Sequence, residues 1–403
     1  MRPKGHSAVS TLALRRPLLT AFVLSLGAAI SLGLARFSYA LLLPPMRADL
    51  HWSYLIAGSM NTGNALGYLI GALLSPIILR KCGAQKTLLG GALITSLLIL
   101  TAGWLADADL LLLQRILSGI GSALIFISGG LLAARLGSLH PQRAGLLIGM
   151  YYGGTGIGIA AAALLIPTTL SLADDAGAAH GWQWAWMALG ASSLLATLAL
   201  VSVASSIDGA PAPVGVGERP RMSLLGFGLA AYFMFGVCYI GYMTFVIALL
   251  QEQGMSGLFI SLFYLLLGLS VIGSSRVWAG MLDHFKGGQS IAILTALLGV
   301  ATLIPVLTNA LPLLLFSGIL FGGSFLSCVA STTALVRHNL PPSSWSSGIS
   351  MFTTVFAFGQ IAGPSFVGWI ADGAGGLARG LSYSACALFL GTLIASRQKA
   401  LPK

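Results

Sequence analysis

Three arginines stand in or near long apolar stretches: Arg36 in GLARFSYALLLPPM, Arg115 in QRILSGIGSA, and Arg276 towards the end of a further stretch. A charge at membrane depth is costly and normally faces a partner or a water-filled interior. Arg36 has no carboxylate at comparable depth. It reads either as a cavity cation for an anionic or carbonyl-bearing solute, or as an arginine satisfied by backbone carbonyls and hydroxyls that locks helix packing. Arg115 admits a structural and a coupling role. All 10 Asp and Glu, and all 6 histidines, fall in loops or at the ends of apolar stretches. An intramembrane aspartyl protease, a zinc metalloprotease or a midmembrane carboxylate relay would need such groups at depth. No catalytic residue, metal site or cofactor is expected, and the chain does not read as an enzyme. The 4 cysteines lie far apart without C-x-x-C spacing, which gives no disulfide framework.

Other polar side chains recur at helical spacing. In GSMNTGNALGYLIG, Asn61, Asn64 and Tyr68 form one stripe, and Gly63, Gly67 and Gly71 another. Small residues four apart let helix backbones approach closely. Gly149, Gly153, Gly154, Gly156 and Gly158 surround Tyr151 and Tyr152. No strand precedes them, so a dinucleotide-binding fingerprint is not supported; close packing or bending is expected. Tyr232, Tyr239, Tyr242, Thr244 and Gln360 are further candidates. The expected solute-binding set is Arg36, Tyr39, Asn61, Asn64, Tyr152, Tyr239, Tyr242 and Gln360. The expected coupling or gating set is Arg115, Asp49, Glu252, Arg80 and Asp283.

These residues need membrane helices to position them. A spanning helix takes about 20 apolar residues. Twelve stretches qualify: 18–45, 54–79, 87–106, 110–134, 144–168, 185–204, 223–250, 257–282, 289–308, 312–336, 346–369 and 380–396. The first follows Arg15 and Arg16 but lacks a small-residue cleavage site, and is read as a retained helix rather than a signal peptide. With both termini cytoplasmic, sixteen lysines and arginines fall inside and two, Arg47 and Arg379, outside, as the positive-inside rule requires. Most acids fall outside.

The Gly/Pro-rich stretch 205–222 divides an N-terminal bundle (1–204) from a C-terminal bundle (223–403). Gly33, Tyr39 and Asp49 correspond to Gly236, Tyr242 and Glu252 at an offset of 203. Two other regions match at offsets of 202 and 201. The expected fold is all-α and integral to the membrane: twelve transmembrane helices in two pseudo-symmetric six-helix bundles. Duplicated halves place a solute site between the repeats. At the same offset Tyr239 occupies the place of Arg36, so the two walls of that site would differ.

Composition agrees. Only 8% of the 403 residues are charged, 56% are hydrophobic and mean hydropathy is +0.90, whereas soluble domains carry about 25% charged residues. A soluble enzyme, a nucleic-acid binder and a secreted disulfide scaffold are excluded. The net charge of +11 is explained by topology rather than by nucleic acid.

RILSGIGSA, Arg115 to Ala123, resembles the helix-four motif of the major facilitator superfamily. The resemblance implies a role in proton coupling for Arg115. The basic loop from Arg80 to Lys86 stands where that family's acidic gating motif belongs, with Arg80 at the acidic position. The second copy, AGMLDHFKGG, keeps Asp283. The helix-five glycines are similar to the family's antiporter motif but lack the proline after Gly153. GLARFSYALLLPPM, GWQWAW and GQIAGP resemble the bacterial YbfB/YjiJ branch.

The expected function is secondary active transport of a small anionic or polar organic solute by alternating access, with proton-coupled export. Proton-coupled uptake of an organic acid and a non-transporting sensor are the alternatives. Expected partners are the solute, protons and the lipid bilayer, with no nucleic acid. The protein is expected to act as a monomer in the bacterial inner membrane.

Overall fold

The computed structural model describes residues 15–204, 206–207 and 222–401. The interhalf linker falls almost wholly outside the described residues, as do both chain termini. The first span is α1, Pro17–Asp49. It is not uniform: an α-helix, Pro17–Ala28, passes into a π-helix, Ala29–Phe37, and returns to α-helix at Tyr39–Asp49. The next stretch, Tyr54–Thr101, is broken at Gly83, giving α2 (54–82) and α3 (84–101). There follow α4 (Ala108–Leu139), α5 (Ala144–Asp175) and α6 (Gly181–Ala204). The second half holds α7 (Gly226–Glu252), α8 (Gly257–Val277), α9 (Gln289–Leu307), α10 (Leu311–Asn339), α11 (Trp345–Ala371) and α12 (Gly376–Ser396). Among the described residues these are twelve membrane-spanning helices, six in each half.

Local chemistry sets several boundaries. Ser53 accepts from the Ile56 N–H at 3.2 Å, and Asp107 from the Asp109 and Leu110 N–H groups at 3.0 Å, satisfying amides that a helix start leaves free. The expected end of the eighth span at residue 282 shortens to Val277, because a separate short helix, Ala279–His284, follows. The basic loop expected between the second and third spans is only a break: helix runs up to Gly83 and resumes beyond it. Gly83 has φ 76° and ψ 164°, a conformation open essentially to glycine alone. Gly83→Ala is expected to lower stability by about 1–3 kcal/mol, read as a reduced thermal midpoint in detergent. An unchanged midpoint would show that the turn does not depend on glycine.

The helix ends define two faces. Asp49, Asp107, Asp109, Asp174, Asp175, Glu252 and Asp372 lie on one, the acidic face; Arg80, Lys81, Lys86, Arg143, Lys286 and Arg337 lie on the other, the basic face. One buried apolar cluster runs through the second half and continues into the acidic-face side of the first, through Leu42, Met46, Tyr54, Ala57 and Met60. Nearer the basic face the first half keeps a separate cluster, including Leu24, Leu88, Ile125, Leu132 and Leu147. The halves therefore share a core mainly on the acidic side.

Glycines bring the helix backbones together. A methyl group on Gly67 would lie 1.9 Å from the Ile116 carbonyl oxygen, and one on Gly71 2.5 Å from that of Ile120. The glycine stripe of α2 is thus its contact with α4. The glycines of α5 serve two neighbours: Gly154 and Gly158 meet Ser25 and Ala29 of α1, whereas Gly156 meets Gly268 of α8 across the halves.

Candidate functional site

Arg36 lies within the π-helical segment of α1 and is only 2% exposed. Its Nε and Nη2 are buried without a hydrogen-bond partner. The guanidinium sits 5.8 Å from the Tyr68 ring centroid on α2 and 6.0 Å from that of Phe37, near the outer limit for attraction by an aromatic face. Tyr239 of α7 is within electrostatic reach of it. The Tyr239 hydroxyl donates to Gln360 Oε1 of α11 at 2.7 Å. Tyr152 of α5 is within electrostatic reach of Tyr68 and is 39% exposed. Arg36 thus stands beside Tyr68, with the Tyr239–Gln360 pair of the other half within electrostatic reach.

The π-helix explains how the two arginines diverge. Where the ladder changes register (Ser38 N–H donates to Gly33 O), nearby carbonyls also accept from side chains. Leu34 accepts from Ser38 Oγ, Ala35 from Arg115 Nη1 and Phe37 from Tyr264 Oη of the other half, each at 2.6 Å. Such π segments occur often at functional sites. Arg115 also donates from Nη2 to Asn61 Oδ1 at 2.8 Å, over the rings of Tyr39 at 5.0 Å and Trp186 at 5.7 Å. Both its Nη groups are held by protein acceptors and only Nε is left without a partner, whereas Arg36 lacks partners at Nε and Nη2.

Asn61 passes the connection across the halves, donating from Nδ2 to Thr244 Oγ1 of α7 at 2.8 Å. Thr62 extends the seam to α11, donating to Ile361 O at 2.9 Å and lying 2.8 Å from Ser365 Oγ. Asn64 remains within the first half, donating to Arg115 O at 3.1 Å and Ser118 Oγ at 3.3 Å. Tyr39 does likewise, with its hydroxyl donating to Ala57 O at 2.9 Å. Tyr242 is held in the second half by Ser317 Oγ at 2.7 Å and by Phe321, ring centroids 3.9 Å apart. These three are fully buried and pack within their own halves rather than joining the Arg36 group.

At the acidic face the expected Asp49–Glu252 symmetry is absent from the contacts. Asp49 Oδ2 accepts from His180 Nδ1 at 2.6 Å and Trp182 Nε1 at 2.5 Å, tying α1 to α6. Glu252 instead accepts from the Tyr54 hydroxyl across the halves. The second crossing acid is Asp372, which the sequence does not single out. Its carboxylate accepts from the Tyr54 N–H at 2.7 Å and the Leu55 N–H at 2.9 Å, capping α2 from the end of α11. Arg47 lies over the Tyr54 ring at 3.8 Å. Arg80, Arg276 and Asp283 are exposed towards the basic face.

Residues 28–396 match a family model described as "Uncharacterised MFS-type transporter YbfB", where MFS denotes the major facilitator superfamily. Solved structures share the fold at low identity. A bacterial homologue of the human lysosomal transporter Spinster, inward-facing and occupied, is 17% identical over 97% of this chain and 98% of its own, with a TM-score of 0.68. The unoccupied inward-facing form gives 15%, 96%, 95% and 0.66. A variant of the nucleoside transporter NupG is 13% identical over 94% and 96% of the two chains, with a TM-score of 0.65. The family match over most of the chain, on a twelve-helix frame with two paired halves, places this protein in the YbfB-type family of major facilitator superfamily transporters.

Proposed function

We propose that the protein is a secondary active transporter that moves a small organic solute with an anionic or strongly polar group by alternating access. The partnerless guanidinium of Arg36, beside Tyr68 and within electrostatic reach of Tyr239 of the other half, carries this reading. A buried cation without an internal counterion is stabilised by a ligand that supplies one. Arg115, committed to Ala35 and Asn61, positions the seam and links it to α1.

In this reading the basic face and both termini are cytoplasmic, the membrane is the bacterial plasma membrane, and the protein works as a monomer. Closure at the acidic face then means that the outer side is shut. Opening outward requires Asn61–Thr244, Thr62–Ser365, Tyr54–Glu252 and the Asp372 cap to separate. The glycine-rich α5 favours proton-linked export, with Arg115, Glu252 and Asp372 as the groups to test for coupling.

Arg36→Ala in proteoliposomes is expected to reduce transport of anionic solutes about 10- to 150-fold, since a charged hydrogen bond contributes about 1.5–3 kcal/mol. Wild-type rates for a full panel of organic anions would overturn the assignment. Counterflow of labelled solute separates transport from sensing. A pH dependence of transport unaltered by Glu252→Gln would remove Glu252 from coupling.

A further inference from the structure

The central site offers one guanidinium, that of Arg36, with two unpartnered nitrogens beside aromatic rings. Arg36 Nε and Nη2 have no partner, whereas both Nη groups of Arg115 are used by Ala35 and Asn61. One free guanidinium matches one carboxylate, and its planar fork suits bidentate pairing. A dicarboxylate or phosphate ester would bring a second negative charge, and the neighbouring cation, Arg115, has both Nη groups held by Ala35 and Asn61, leaving only its buried Nε to meet a second anionic group. An amino acid would bring an ammonium, yet every Asp and Glu among the described residues lies at a helix end or in a loop. Burying either extra charge unpaired costs several kcal/mol.

The remaining lining suits a flat apolar body. Tyr239 stacks with Phe235 at 4.9 Å and Phe356 at 5.4 Å, with interplanar angles of 25° and 18°. Phe356 also stacks on Tyr232 at 4.8 Å. This gives the second half a continuous aromatic wall. In the first half Tyr152 packs against Phe126 at 5.3 Å, and Tyr68 stands beside Arg36. Aromatic pairs gain from offset or edge-to-face contact beyond the area they bury. A sugar or nucleoside would instead need hydrogen-bond partners for several hydroxyls, and Gln360 already accepts from Tyr239.

We infer that the transported solute is a singly charged aromatic carboxylate, with its carboxylate on Arg36 and its ring between Tyr68 and Tyr152 of one half and Tyr239 and Phe356 of the other. This inference rests on Arg36 being the solute anchor, and the test keeps the two ideas apart. The purified full-length protein is titrated with phenylacetate and cinnamate, their primary amides, butyrate, succinate, phenylalanine and uridine, with affinity read by calorimetry. The aromatic monocarboxylates are expected to bind at least 10-fold more tightly than their amides, butyrate or succinate. Arg36→Ala abolishes that preference for carboxylate over amide. Tyr239→Leu lowers the preference for phenylacetate over butyrate at least 3-fold, whereas Tyr239→Phe retains it; size-exclusion profiles verify folding of each variant.

Equal affinity for butyrate and phenylacetate, with both lost in Arg36→Ala, would overturn the aromatic class and leave the anchor standing. Preferential binding of succinate would overturn the single-charge argument. Binding of amides or uridine unaffected by Arg36→Ala would overturn class and anchor together. Failure of both aromatic carboxylates to bind would overturn the class.

Discussion

Valine at position 58 is expected to slow turnover sharply while leaving a folded, monodisperse protein. A methyl group on Gly58 would lie 2.3 Å from the Pro364 carbonyl oxygen and 3.1 Å from the Phe245 ring. The reciprocal contact is as tight, since a methyl group on Gly368 would lie 2.3 Å from the Tyr54 carbonyl oxygen. Both contacts join α2 to α11, one from each half. The strain can therefore be relieved by parting the acidic face without opening either bundle's own core. Overpacking typically costs about 1–3 kcal/mol, a factor of about 5–150 in the ratio of closed to open forms. The population shifts because Gly58→Val burdens only the closed form. The measurement is the rate at which an impermeant maleimide labels Thr62→Cys in a background where Cys82, Cys238, Cys328 and Cys386 are replaced. Labelling from the acidic face should rise several-fold and solute counterflow should fall about 5- to 150-fold. Normal counterflow with unchanged labelling would show that α2 and α11 need not close so tightly.

Asp372→Ala is expected to loosen the same face by a different route. The Asp372 carboxylate accepts two N–H groups at the start of α2, where the positive end of the helix dipole favours an anion. Loss of a capping side chain costs about 0.5–2 kcal/mol, and the exposure of Asp372 places this case towards the lower end. Adding Glu252→Gln removes the charge that accepts from the Tyr54 hydroxyl. The double variant is expected to shift the ratio about 5- to 30-fold, from roughly 1–2 kcal/mol. Unlike Gly58→Val, it introduces no clash, so it should still close and turn over. Its signature is salt dependence. Labelling of Thr62→Cys should rise with ionic strength while both acids are present and become nearly independent of it when both are replaced, because exposed charges are screened within about 8–10 Å. Equal salt dependence in both backgrounds would show that these acids do not hold the face.

The gate and the site were legible in the sequence to different degrees. Arg36 stands out because an arginine without a carboxylate at its depth is conspicuous in an apolar stretch. Tyr239 and Gln360, taken from the other half, do lie together in the structure. Tyr39, Tyr68 and Tyr242 are the same residue type in similar apolar surroundings, yet only Tyr68 stands beside Arg36. Helix rotation separates them, and rotation is fixed by contacts such as Gly67 against Ile116 and Gly33 against Gly158. Asp372 has no sequence signal. It resembles any acid at a helix end until the start of α2, more than three hundred residues away in the chain, is brought beneath it. The near-symmetry of Asp49 and Glu252 is real in sequence but not in contacts, because His180 and Trp182 engage only the first.

What the sequence by itself determined is membrane embedding, the spans, their division into halves and the few charges at depth. Each depends on the composition of a local segment: whether some twenty residues prefer lipid to water is settled almost independently of the rest of the chain. The tertiary structure decided which of two buried arginines has both terminal nitrogens engaged, which face is sealed and which tyrosine stands beside Arg36. Those outcomes depend on distances between segments remote in sequence. A π-helical change of register in α1 brings the Ala35 carbonyl to Arg115 and leaves Arg36 with free donors.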